Sequence, residues 1–140
     1  MHRFLLALLA VTTIASAQAS NPARVNGIWK LTSLTTSGQA TPDLPLTEVF
    51  IVNGKVSGKL GCGTFSGTMQ AQGSRTRIAV KPLPPKPTER CLYALPGAFH
   101  TAMNSVNRYA ISFDTQRLVL LSGKTRLTFE RIGYVTPAKK

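Results

Sequence analysis

Apolar and polar residues alternate in short runs along most of this chain, and each run ends at a cluster of Gly, Pro, Asn or Ser. That pattern predicts strands joined by tight turns. "NGIWKLTSLT" reads as a first strand led by Ile28 and Trp29, and "TPDLP" as a loop. The segment "TEVFIVNGKVSGKL" carries an Asn-Gly pair between two β-rich runs, which places Asn53 and Gly54 at a hairpin tip. Val56, Gly58, Leu60 and Cys62 then share the inward parity, whereas Phe65 and Met69 stand at odd positions. A change of parity requires a bulge or corner, and the flanking Gly61 and Gly63 are assigned to it.

"QAQGS" is expected to turn, and "RTRIAV" to form a strand with Ile78 and Val80 inward and Arg75 and Arg77 outward. "KPLPPKP" is expected to be a stiff, unpaired connector, since its prolines lack amide protons. Beyond Pro96 the period changes. Phe99, Ala102, Met103 and Val106 fall at helical spacing, with Thr101, Asn104 and Ser105 on the wet side. "RYAISF", "RLVLL" and "RLTFERI" close the series, and "GYVTPAKK" is expected to fray. The short connections favour antiparallel neighbours. The fold class is therefore α+β: a curved antiparallel β-sheet or partial barrel of about eight strands with one covering α-helix.

The first residues change the setting. "MHRFLLALLAVTTIASAQAS" combines a basic start, a short apolar run and small residues at Ala15, Ala17 and Ala19, the features of a secretory signal peptide cleaved after Ala17 or Ala19. The apolar run is too short for a stable membrane anchor. Residues 1–19 are thus expected to be the signal peptide, 20–24 a linker, 25–132 the folded domain and 133–140 a basic tail, giving a periplasmic or secreted monomer. Export puts the cysteines in a disulfide-permitting compartment. With only Cys62 and Cys91 in the chain, one bridge is expected, closing a loop of about 30 residues and contributing roughly 3 to 4 kcal/mol. A redox-active pair would normally use a CxxC spacing, which is absent.

Several segments together resemble the META-domain family of HslJ-like bacterial envelope and heat-shock proteins. They are "GIWKL", "VSGKLGCGTFSGTM", "KPTERC", "FHTAMNSV" and the closing "RYAIS", "LVLL" and "LTFER". The chain departs from the family at Gly63, where asparagine is usual, in "PTER", which lacks a methionine, and at the helix start, which lacks an acid. The resemblance implies an envelope domain connected with stress tolerance. It also implies a fold similar to secretin pilot proteins, which cradle lipid or peptide tails, and it supplies no catalytic residues.

Chemistry-bearing residues are sparse. With His2 in the signal peptide, His100 is the single histidine of the mature chain, and no nucleophile motif accompanies it. The acids Asp43, Glu48, Glu89, Asp114 and Glu130 are scattered, with no metal-ligand spacing and no motif that pairs two carboxylates. No enzyme activity, cofactor or metal is expected. Charge is the outlying property: 17 Lys and Arg stand against 5 acids, a net +12. Arg75, Arg77 and Lys81 are expected to form a basic patch for an anionic lipid surface or an envelope protein. Nucleic acid is not expected, because stacking needs exposed aromatics while Phe50, Phe65, Phe113 and Phe129 read as core. The leading function is a non-enzymatic envelope stress or binding module. The alternative is a half-barrel carrier holding an acyl chain or hydrophobic peptide against Leu60, Phe65, Phe99 and Met103.

Overall fold

The alternation described above becomes one antiparallel ring. The structure, a computed structural model, describes residues 21–61, 63–83 and 97–135. Strands β1 (Gly27–Thr36), β2 (Gln39–Ala40), β3 (Thr47–Val52), β4 (Lys55–Leu60), β5 (Gly63–Gln72) and β6 (Arg75–Pro82) precede helix α1 (Gly97–Ser105). Strands β7 (Arg108–Ile111), β8 (Arg117–Leu121) and β9 (Thr125–Gly133) follow it. Each strand hydrogen-bonds its neighbour in chain order, except that β2 is a short addition to the end of β1, and β9 returns to β1 to close the ring. Among the described residues no helix is long and apolar enough to cross a membrane.

The inward residues of every long strand fill the ring. Trp29, Phe65, Phe99, Met103, Leu127 and Phe129 are at most 1 % exposed, and they belong to a single core cluster with Leu60 and Val56. In β3 and β4 the alternation is unbroken, and in β6 it holds through Lys81. In β1 it shifts by one, so that Leu31 and Leu34 are both buried, because a bulge skips Thr32 in the pairing with β9. A second bulge in the same ladder skips Ile132. These two bulges bend the sheet enough to let its first and last strands meet.

The parity change between Leu60 and Phe65 is a chain reversal. Leu60 pairs with Gly63 and Gly58 with Phe65, so odd residues of β5 take the side held by even residues of β4. Gly61 adopts φ 60° in this reversal, a left-handed geometry that L side chains resist, while Gly63 opens β5 as an ordinary strand residue. The Asn53–Gly54 turn has φ values of 49° and 82°, the all-positive geometry of a two-residue hairpin.

Three sequence expectations need correction. "QAQGS" does not turn as a unit: β5 runs through Gln72 with Ala71 buried, and the reversal is confined to the following two residues. The connector "KPLPPKP" begins inside the sheet, since Lys81 pairs with Ser66, Pro82 with Phe65, and the Leu83 N–H donates to the Thr64 carbonyl at 2.9 Å. In β6 the odd residues face β5 and the even ones face the opposite edge, so the nitrogen of Pro82 points away from the ladder and costs it no bond.

The third concerns aromatic residues read as core. Phe65 and Phe129 are buried, Phe50 is half-buried, and Phe113 is 105 % exposed. The strand expected over "RYAISF" stops at Ile111. There the Ser112 hydroxyl donates to Asp114 Oδ1 at 2.5 Å, the Gln116 N–H donates to the same oxygen at 3.0 Å, and Thr115 turns left-handed at φ 62°. This local cap ends the strand two residues before the aromatic ring and leaves the ring in solvent.

Candidate functional site

The two ends of the chain's described region are tied into the ring by one side chain. Arg131 donates from Nε to the Thr115 carbonyl at 2.9 Å, from Nη1 to the Asn26 carbonyl at 2.8 Å and from Nη2 to the Arg24 carbonyl at 2.7 Å. Its guanidinium lies between two rings, 4.2 Å from the Trp29 centroid and 4.6 Å from that of Tyr134. Burial lowers its pKa from the ordinary arginine value. A Cβ on Gly27 would collide with Nη1, so that glycine is what admits the planar group. The Trp29 indole N–H donates to the Val25 carbonyl at 2.9 Å.

The segment read as a linker is held as well. The Asn21 amide donates to the Met69 carbonyl and accepts from the Ala71 N–H, both at 2.7 Å, and Ala23–Val25 form a short 3-10 turn. Tyr134, expected to fray, is fixed by Arg131 and by a 3.0 Å hydrogen bond from the Gln116 side chain.

A polar cavity of about 420 Å³ opens beside this assembly, lined by Ser112, Asp114, Gln116, Arg117, Glu130 and Arg131. Two of the five acids, scattered in sequence, converge here. Hydrogen bonds from the Ser112 hydroxyl and the Gln116 N–H hold the Asp114 carboxyl below its ordinary pKa. Phe113, Ile132 and Tyr134 are exposed by half or more; Phe113 and Ile132 adjoin lining residues in the chain, and Tyr134 touches two of them, Gln116 and Arg131. A second cavity, of about 470 Å³, lies between hairpin ends and is lined by Thr35, Leu121, Lys124, Arg126 and small residues.

Outside the ring, cross-strand register sorts the charges. Arg117 pairs with Glu130, Glu130 with Lys30, Lys30 with Glu48, and Glu48 with Lys59, a row of alternating sign across five strands. Opposite charges set directly across a ladder avoid the repulsion that like charges would meet there. The predicted patch is different. Arg75 and Arg77 face Gln72 and Gln70 across the ladder, Lys81 faces Ser66, and Arg75 stands opposite Arg108 on β7. All four cations are exposed. They run for about 20 Å along β6 at ordinary strand rise, with no acid among these cross-strand partners.

The predicted apolar lining lies inside. Leu60, Phe65, Phe99 and Met103 are all at most 3 % exposed, with the Phe65 and Phe99 centroids 5.3 Å apart. His100 joins them edge-on, 5.9 Å from Phe65 and 5.6 Å from Phe99. Both of its ring nitrogens are buried without a hydrogen-bond partner among the described residues, and burial lowers its pKa from 6.5. Cys62 and Cys91, the expected staple, lie outside the described residues, as does the expected signal peptide.

The fold and its buried Trp-led first strand define a class of small closed β-domains with one helix. A model of the META domain matches residues 23–133, and the chain belongs to that family. No curated protein matches it. Among solved structures, it is similar to a protein from Burkholderia xenovorans solved by NMR, at a TM-score of 0.62 and 17% identity over 76% of this chain and 81% of that one. It is also similar to a DUF4847 family protein from Bacteroides vulgatus solved by crystallography, at a TM-score of 0.55 and 19% identity over 75% of this chain and 92% of that one. At these identities the likeness is one of fold.

Proposed function

We propose that this META domain is an exported, non-enzymatic binding module of the cell envelope that meets an anionic lipid surface through β6. The carrying observation is the contrast in register: strand acids stand between Lys30, Lys59 and Arg117, whereas Arg75, Arg77, Lys81 and Arg108 have none beside them. Leaving cations unmatched on a surface with so few acids favours a partner that brings the opposite charge. The apolar N-terminal run with its small-residue cleavage motif supports export, and family membership supports a role in envelope stress tolerance. The burial of Leu60, Phe65, Phe99 and Met103 in one core cluster supports a surface binder over a carrier of acyl chains.

Co-sedimentation with phosphatidylglycerol and phosphatidylcholine vesicles tests this. Binding should be confined to the anionic vesicles and lost at high salt. At about 1 kcal/mol per surface cation, Arg75→Gln with Arg77→Gln should weaken it roughly 30-fold. Equal binding to both vesicles, or indifference to the double substitution, overturns the proposal.

A further inference from the structure

The cavity between the β7–β8 turn and β9 plays no part in the lipid reading, and its chemistry points elsewhere. Its charged groups balance: Asp114 and Glu130 stand against Arg117 and Arg131, on a chain whose overall excess is strongly cationic. A site for an anion would keep its cations unmatched, as β6 does. A balanced set of acceptors and donors instead suits a neutral ligand whose groups both donate and accept, as hydroxyls do.

The surroundings add a second requirement. Phe113 is wholly exposed, on a turn whose backbone is held, and Tyr134 is 71 % exposed with its ring held in place. The Asp114 cap holds the turn that carries Phe113, and Gln116 and Arg131 hold the Tyr134 ring. Two exposed aromatic rings beside one polar cavity present apolar faces that a bound ligand can cover. A sugar ring offers both surfaces at once, an apolar face of C–H groups to lie on an aromatic ring and a rim of hydroxyls for carboxylate, amide and guanidinium. The volume of about 420 Å³ is within the range of small-molecule sites.

We infer that this cavity is a binding site for a neutral saccharide, with Phe113 and Tyr134 as stacking faces and Glu130, Arg117 and the Gln116 amide oxygen as hydroxyl partners. Arg131 and the Oδ1 atom of Asp114 position the walls, since they are already engaged within the fold.

The test is an NMR titration of the isotope-labelled protein with maltotriose, cellotriose and N-acetylchitotriose, and with glucuronate as a charged control. At least one trisaccharide should shift the backbone amides of residues 112–117 and 130–134 with a dissociation constant in the low millimolar range or below, as expected of a ligand this small. Added salt should leave the affinity unchanged. Phe113→Ala, at a side chain that packs on nothing, and Glu130→Gln should each weaken binding about tenfold or more. Saturating shifts elsewhere, no shifts with any trisaccharide, tighter binding of glucuronate, or unchanged affinity in Phe113→Ala each overturn the assignment. Vesicle binding should be unaffected by Phe113→Ala, so the lipid and saccharide readings fail separately.

Discussion

The ring has two seams, and they are closed by different means. Where β9 meets β1, eight residue pairs run along the ladder, two bulges supply curvature, and Arg131 clamps the strand ends. Where β6 meets β7, Arg75 and Arg108 are the one pair, and the gap beyond is covered by α1. There a side chain does the work of a strand: the Asn104 amide accepts from the Val80 N–H at 2.7 Å and donates to the Val80 carbonyl at 3.0 Å. One seam is built from repeated backbone bonds and the other from a helix, an amide and an aromatic cluster. The laddered seam shares its strain among many bonds, whereas the covered seam depends on a few groups with no substitutes.

Breaking the clamp should have the largest effect. Arg131→Leu removes three charge-assisted donors from the carbonyls of Arg24, Asn26 and Thr115, and it should cost about 3 kcal/mol because some of those carbonyls can turn to water. Thermal unfolding should show a midpoint lowered by roughly 10 °C. A loss of less than about 1 kcal/mol would mean that the ladder alone holds the seam.

Asn104→Ala probes the other seam. It strips both partners from the Val80 peptide groups, for an expected loss of about 1 to 2 kcal/mol in urea unfolding. Hydrogen exchange should quicken at Val80 and along α1 before it quickens in β1 or β9. Uniform quickening would show that the two seams open together.

The smallest effect is a pH dependence. His100 has its pKa lowered by burial in the folded protein, so the unfolded chain binds the proton more readily. The sign follows: stability is full above the ordinary histidine value of about 6.5 and falls as pH drops below it, toward the lowered folded value. His100→Phe should flatten this slope below about pH 6.5 while leaving carboxylate-driven acid unfolding in place. An unchanged slope would place the dependence on other groups.

How much of this was legible in the sequence depended on the range of the forces involved. The Asn53–Gly54 hairpin, the alternation of β3, β4 and β6 and the helical spacing of Phe99, Ala102, Met103 and Val106 are local patterns, and each appears where its residues place it. Phe113 was misread because its alternation continues the strand while a three-residue cap ends it. Pro82 was misread because whether a proline breaks a ladder depends on which edge its nitrogen faces, a matter of pairing partners. The role of Arg131 had no sequence signal, since it serves carbonyls more than 100 residues upstream. The convergence of Asp114 and Glu130 is of the same kind, created by the β8–β9 register.

The unlaced edge of β6 has one more consequence. Open strand edges are templates on which further chains can assemble, and long exposed ones invite aggregation. Along this edge the Thr76 N–H is given to the Asn107 carbonyl, both polar groups of Val80 are taken by Asn104, and Pro82 has no hydrogen to give. A second molecule approaching β6 therefore meets arginine side chains on the outer face and, at Thr76, Val80 and Pro82, amide positions already taken or without a hydrogen. The gap that lets a helix into the ring is, by the same residues, a poor seed for a fibre.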